Sequence, residues 1–149
     1  MTYTFTIPGI PKAQGRPRFR CITTKAGKSF ASAYDPKESR NWKQTVAATA
    51  LAAGVRGQEG SFFLLVMAYL PRPKRLCRKK DNAGYLCATC KPDCDNIGKA
   101  VADSLIGVAY ADDAQISQFE VHKAYHEKSG MPRTEVRVGL MEDIAIDEL

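Results

Sequence analysis

Residues 91–116 read KPDCDNIGKAVADSLIGVAYADDAQI. Within them Ile97, Val101 and Leu105 recur at every fourth position and the run stops at Gly107, which is the spacing and the stop signal of a helix with one apolar stripe. Asp95, Lys99 and Asp103 fall on its other face. Downstream the period shortens: Ser117, Phe119, Val121, Lys123 and Tyr125 share one face of a strand. Val136, Val138 and Leu140 share a face of another, across the turn Ser129-Gly130-Met131-Pro132. Upstream, Phe62 to Leu70 is short and continuously apolar, which predicts a central strand covered on both faces, with Pro71 and Pro73 ending it.

Further upstream, Asp35-Pro36-Lys37-Glu38 places a capping residue, a first-turn proline and an acid ahead of Trp42, Val46 and Ala50, and predicts a helix that runs to Gly54. Tyr3, Phe5 and Ile7 alternate with threonines as a first strand does. The predicted order is therefore β-α-β-α-β-β in a single α+β domain over residues 1–149, a small mixed sheet packed against two helices. Three stretches lie outside this frame: a long basic loop at 11–34, a basic cysteine-containing insert at 71–92 and an acidic tail at 142–149. Long structureless loops in small domains are usually functional or disordered. Trp42 and Tyr125 are read as core.

The chain has 149 residues, 44% hydrophobic and 26% charged, with a net charge of +6. Those proportions exclude a fibrous or disordered chain. The charge is also unevenly placed, because no Asp or Glu precedes Asp35. Lys12, Arg16, Arg18 and Arg20 from the first basic stretch, with Arg72, Lys74, Arg75, Lys79 and Lys80 from the second, are the candidate contacts to a phosphate backbone. Solvated loops that only maintain solubility are the competing reading. No secretory signal, anchor or bilayer-length apolar run is present, so a cytoplasmic protein without membrane partners is expected. In that compartment Cys21, Cys77, Cys87, Cys90 and Cys94 are expected as thiols or metal ligands.

The chemistry concentrates at the two ends of the 91–116 stretch. Asp93 and Asp95 stand at the helix entrance, where acids also serve as plain caps worth about 0.3–1 kcal/mol. Asp112 and Asp113 stand where the chain leaves the helix and enters the next strand, so Asp113 reaches the first pair only if the connecting loop folds back. Three carboxylates suit a hard ion such as Mg²⁺, with Mn²⁺ as a substitute, and phosphodiester hydrolysis is the chemistry such sets commonly serve. Lys99 is either an i,i+4 ion-pair partner of Asp95 and Asp103 or a cation for a scissile phosphate. Cys87-x-x-Cys90 is half of a zinc site that Cys77 and Cys94 complete at irregular spacing, and ordinary thiols are the alternative. His122 and His126 are read with Glu120 as a solvated strand face, and Lys123 as either a rim residue or one aimed at the acidic site.

The 91–116 stretch resembles the signature of RusA-type Holliday junction resolvases, in which Lys-Pro-Asp-x-Asp-Asn leads through a lysine to Asp-Asp-x-Gln. GIPKAQGRPRFR, from Gly9, is similar to that family's N-terminal loop, so the resemblance runs from about Phe5 to Leu140. It implies that Asp93, Asp95 and Asp113 bind magnesium, with Asp112 assisting. It also implies that Lys99 is a catalytic-site cation and that a homodimer nicks opposing strands of a four-way DNA junction. Cys94 departs from the aliphatic residue usual between the two aspartates and is read as a small hydrophobe. Two rivals stand beside this reading, a non-catalytic zinc-stabilised nucleic-acid-binding module and a general branched-DNA nuclease.

The basic loop makes a quantitative expectation. Replacing Arg16 and Arg18 by alanine removes up to two phosphate contacts, so the slope of log affinity against log salt for branched DNA should flatten by roughly 1–2 units. A salt titration with an unchanged slope and affinity would show that the loop does not grip phosphates.

Overall fold

The apolar run at 62–70 takes the central position in a five-stranded sheet. In the computed structural model, which describes residues 1–141, strand β4 (Phe62–Leu70) lies between β6 (Ile116–Tyr125) and β7 (Arg133–Leu140). It pairs parallel with β6 and antiparallel with β7, and β1 (Thr2–Pro8) adds antiparallel to β7. A two-residue strand β5 (Leu86–Cys87) closes the far edge against β6, giving the order β1-β7-β4-β6-β5. The acidic tail read at 142–149 lies outside the described residues.

Helices α1 (Lys37–Ala52) and α2 (Cys94–Ser104) cover one face of this sheet. Trp42, Val46 and Ala50 of α1 and Ile97 and Val101 of α2, with Leu105 just beyond it, meet Phe5, Ile7, Leu64, Val66, Val136 and Val138 in one buried cluster. Burial of each large apolar side chain contributes about 1.5–3 kcal/mol, so the helical stripes read from spacing are what fasten the layers together. The fold class and the six predicted elements are therefore present. The other face differs from expectation: Phe63, Leu65 and Met67 of β4 are only half-buried. They are flanked by Glu120 and His122 of β6 and by Glu135 and Arg137 of β7. No second helical layer exists among the described residues to cover them.

Residues 11–34 are not a structureless loop. Strands β2 (Arg18–Thr23) and β3 (Ser29–Tyr34) form a separate antiparallel hairpin. It was invisible to pattern reading because nearly every residue in it is exposed, and a ribbon with no buried face shows no apolar alternation.

α2 and β6 approach closely at Gly98. A Cβ there would lie 2.4 Å from Val121 Cγ2 and 2.7 Å from Phe119 Cζ. Alanine favours helix over glycine by about 1 kcal/mol, yet overpacking a tight interface costs about 1–3 kcal/mol. Gly98→Ala should accordingly lower the urea midpoint, and a midpoint equal to or above the parent's would show that the interface yields without strain.

Candidate functional site

The entrance to α2 carries two carboxylates that the helix does not use. Asp93 occupies the N-cap position, with φ −73° and ψ 147°, but no side-chain bond caps the helix. Its Oδ2 accepts instead from Lys91 Nζ at 2.9 Å. That bond, helped by the charges of Lys91 and Lys123, holds the Asp93 carboxyl below its ordinary range. Asp95, in the first turn, is exposed and makes no hydrogen bond or ion pair among the described residues. The plain capping account thus consumes neither acid.

The approach to this helix is fixed from behind. Lys123, projecting from the helix-covered face of β6, donates to the Cys90 carbonyl at 2.6 Å and the Pro92 carbonyl at 3.2 Å. The alternative left open by the sequence is resolved: Lys123 points at the acidic loop, not at the rim. From the other side the N-terminal loop docks on the same turn, with Gln14 N donating to Asn96 O at 2.9 Å. Gly15 N donates to Ser39 Oγ at 3.0 Å, and a Cβ at Gly15 would stand 2.6 Å from that oxygen, so the loop reaches α1 only through glycine. Lys43 joins the helices by bonding Asp35 at 2.9 Å and Asp103 at 3.6 Å.

Asp103 is therefore spent on Lys43, and Lys99 forms none of the i,i+4 ion pairs that its spacing suggested. Lys99 instead lines a cleft of about 380 Å³ with Ala102, Asp113, Ile116 and Phe119. The preceding Asp112 is occupied locally, its Oδ1 accepting from Ala114 N at 2.7 Å. Gln115 completes that capping box by accepting from the Ala111 and Asp112 amides, and its Nε2 donates to Gly60 O at 3.0 Å. This leaves Asp113 exposed at the cleft while its neighbours hold the turn. Tyr110, buried beneath, donates to Ala102 O at 2.7 Å, and burial beside Asp113 and Asp103 raises its phenol far above the ordinary range, so it stays protonated.

One chain brings Lys99 to Asp113 but does not bring Asp113 to Asp93 and Asp95. Along α2 the level of Ala102 lies roughly 14 Å from Asp93 at about 1.5 Å per residue. Among the described residues no three His, Cys, Asp or Glu side chains gather where one ion could be held. Carboxylate oxygens of this kind suit a hard divalent ion.

Two of the readings offered by the sequence find no support in this geometry. The four cysteines do not converge as a zinc site. Cys77 Sγ lies 3.5 Å from Pro73 O, Cys90 is exposed, Cys87 sits in β5, and Cys94 opens α2. Arg72 is not a phosphate contact either: it is 7% exposed. Its guanidinium donates to Leu76 O, Gly84 O and Asn82 O at 2.9, 2.7 and 2.6 Å, clamping the 71–92 insert from within. Lys12, Arg16, Arg18, Arg20, Lys74, Arg75, Lys79 and Lys80 are exposed. His122 is exposed beside Glu120, whereas His126 accepts from Arg72 N at 3.2 Å and so belongs to the clamp.

The model of the family Endodeoxyribonuclease RusA matches residues 8–139. The chain belongs to this family. A RusA-family member is an endodeoxyribonuclease with Holliday junction resolvase activity on branched DNA, and the match covers both carboxylate motifs, the hairpin and the insert. The chain is also 38% identical over 143 residues to the Bacillus subtilis (strain 168) protein described as "Uncharacterized protein YqaN", covering 90% of this chain and 93% of that one. Among the described residues, no helix is long and apolar enough to cross a membrane.

Within this RusA-family site, the sequence left Lys123 open between the rim and the acidic site, and it gave no sign of Gln115 as the fastening of the Asp113 turn. A lysine among Phe119 and Val121 on an inward face was the available signal. Lys123→Met should leave the thermal midpoint within a few degrees while lowering the junction-cleavage rate by about 10–100-fold, since misplacement near 1 Å costs that order. Lys123→Arg should recover part of the loss. Parent-like rates for the methionine variant would remove Lys123 from the site.

Proposed function

We propose that this protein resolves four-way DNA junctions in recombination and repair, as a homodimer that uses Mg²⁺ to nick opposing strands. The observation that carries the reading is the set of carboxylates left unspent by the fold. Among the described residues Asp95 and Asp113 make no hydrogen bond or ion pair, although Asp112 and Asp103 are engaged. Asp93, Asp95 and Asp113 are the metal-binding residues in this proposal. A divalent ion there would supply an activated water and polarise the phosphoryl oxygens. Lys99, in the same cleft as Asp113, places a cation where charge develops on the scissile phosphate or its leaving oxygen. The exposed basic groups at 12–20 and 74–80 hold the flanking backbone.

The gap between Asp113 and the Asp93–Asp95 pair supports the homodimer, because a copy related by a two-fold axis can present its Asp113 to the open pair. The non-catalytic zinc-stabilised module loses its support with the scattered cysteines. A general branched-DNA nuclease is separated from a junction resolvase by cleavage of a matched panel of junctions, flaps and forks.

Asp95→Asn tests the carboxylate directly. Asparagine preserves shape and helix entry but removes an anionic ligand, so single-turnover cleavage in Mg²⁺ should fall by several orders of magnitude. Junction binding without divalent ions should hold or tighten, as a repulsive charge beside the phosphates is gone. A variant that cuts at nearly the parent rate would reduce Asp95 to a structural role.

A further inference from the structure

The β2–β3 hairpin has properties that phosphate binding alone does not require. Among the described residues it pairs only with itself and makes no extended packing with another element. Yet it displays Phe19 at 72%, Phe30 at 50% and Tyr34 at 37% exposure. Apolar rings on a ribbon with no core beneath them have no role in holding the fold. The register places Arg18, Arg20, Ile22, Phe30, Ser32 and Tyr34 on one face, with Arg20 Cζ 5.5 Å from the Tyr34 ring centroid. The other face carries Phe19, flanked along the chain by the same two arginines.

The occupant follows from charge and position. The hairpin bears Arg18, Arg20, Lys25 and Lys28, and no acid occurs in the chain before Asp35, so its partner is a polyanion. Both feet are tied to the α2 region. On one side Gln14 N bonds Asn96 O, and on the other Asp35 bonds Lys43, which reaches Asp103. Six residues per strand make an arm of about 20 Å beside the unspent carboxylates. In paired duplex DNA the base faces are covered by their neighbours, leaving such rings no surface to stack on. Bases opened at a branch point do offer π-faces, and aromatic side chains flanked by cations are how single-stranded nucleic acid is held.

We propose that the β2–β3 hairpin is the branch-sensing arm. Phe19 and Phe30 stack on bases unpaired at the crossover, with Tyr34 supporting, while Arg18 and Arg20 hold the adjoining phosphates. Selectivity for branched over duplex DNA thus resides in ring stacking, and overall affinity in the cations. This rests on the branched-DNA reading above and adds the residues that distinguish a branch from a duplex.

The test measures binding of the full chain without divalent ions, to a four-way junction and to a duplex of matched sequence. Phe19→Leu/Phe30→Leu should weaken junction binding by on the order of 100-fold, about tenfold per lost stacked base. Duplex affinity and the salt slope should not change, nor should the thermal midpoint, since the rings touch no core. Phe19→Trp/Phe30→Trp, which keeps stacking surface, should retain junction affinity. Equal loss on duplex and junction overturns the proposal, as does full retention by the leucine variant. Sedimentation velocity is run on every variant, and a leucine variant that loses junction binding only by losing self-association makes the arm a subunit contact and also overturns it. A parent protein with no junction preference would refute the branched-DNA reading itself, whereas a parent that prefers junctions with variants that match it refutes the arm alone.

Discussion

The seat of α2 on β6 governs the rest of the structure. Gly98 faces Val121 and Phe119 at a separation that leaves no room for a methyl group. That contact sets the height of the helix over the sheet, and with it the direction in which every exposed residue of α2 points. Since Ile97, Val101 and Leu105 must face the core, helical geometry turns Asp95 and Lys99 outward. The same seat brings Ala102 and Lys99 level with the start of β6, where Asp113 emerges. An apolar packing requirement thereby aligns the polar groups of the site.

The cations of this basic protein divide into two populations. Arg72 and Lys123 are turned inward against backbone carbonyls, where charge-assisted hydrogen bonds shape loops that have little secondary structure of their own. Lys43 and Arg133 are likewise spent, on Asp35 and Asp103 and on Glu127 and Glu135, whereas Lys12, Arg16, Arg18, Arg20, Lys74, Arg75, Lys79 and Lys80 are exposed to an anionic partner. A count of basic residues along the chain does not separate these populations, because the difference lies in whether a loop curls around the side chain. Arg72 stood first in its cluster and shared its neighbours' composition, yet the insert wraps it and gives it three carbonyl partners.

What could be read from the chain and what could not follows a physical division. Both helices and the four long strands of the main sheet were legible, since each buries one face and so writes a period of 3.6 or 2 into its sequence. The hairpin at 18–34 buries neither face and left no such mark. The acidic motifs announced the candidate site, but spacing could not tell a cap from an unspent carboxylate. That distinction needed hydrogen-bond geometry: Asp112 accepts from Ala114 N while Asp113 does not, although the two are adjacent. The Cys87-x-x-Cys90 pair failed for a similar reason, because a ligand pattern is local and convergence with Cys77 and Cys94 is not. β4 misled in one respect, its unbroken apolar run reflecting a half-covered outer surface instead of a second packed layer.

The isolation of the β2–β3 ribbon bears on how stability is distributed. Among the described residues the ribbon has no third strand and no layer behind it, and such a two-stranded sheet is marginal in water, whereas the main sheet shares one buried core with its helices. The chain therefore contains two regions of very different opening free energy, joined at the glycine-mediated contact beside α1 and α2. Amide hydrogens in the ribbon should exchange through local opening long before those of β4, β6 and β7. A ligand that seats on the ribbon must supply its ordering entropy, so part of the binding free energy is converted into rigidity at the point where the chain meets its substrate.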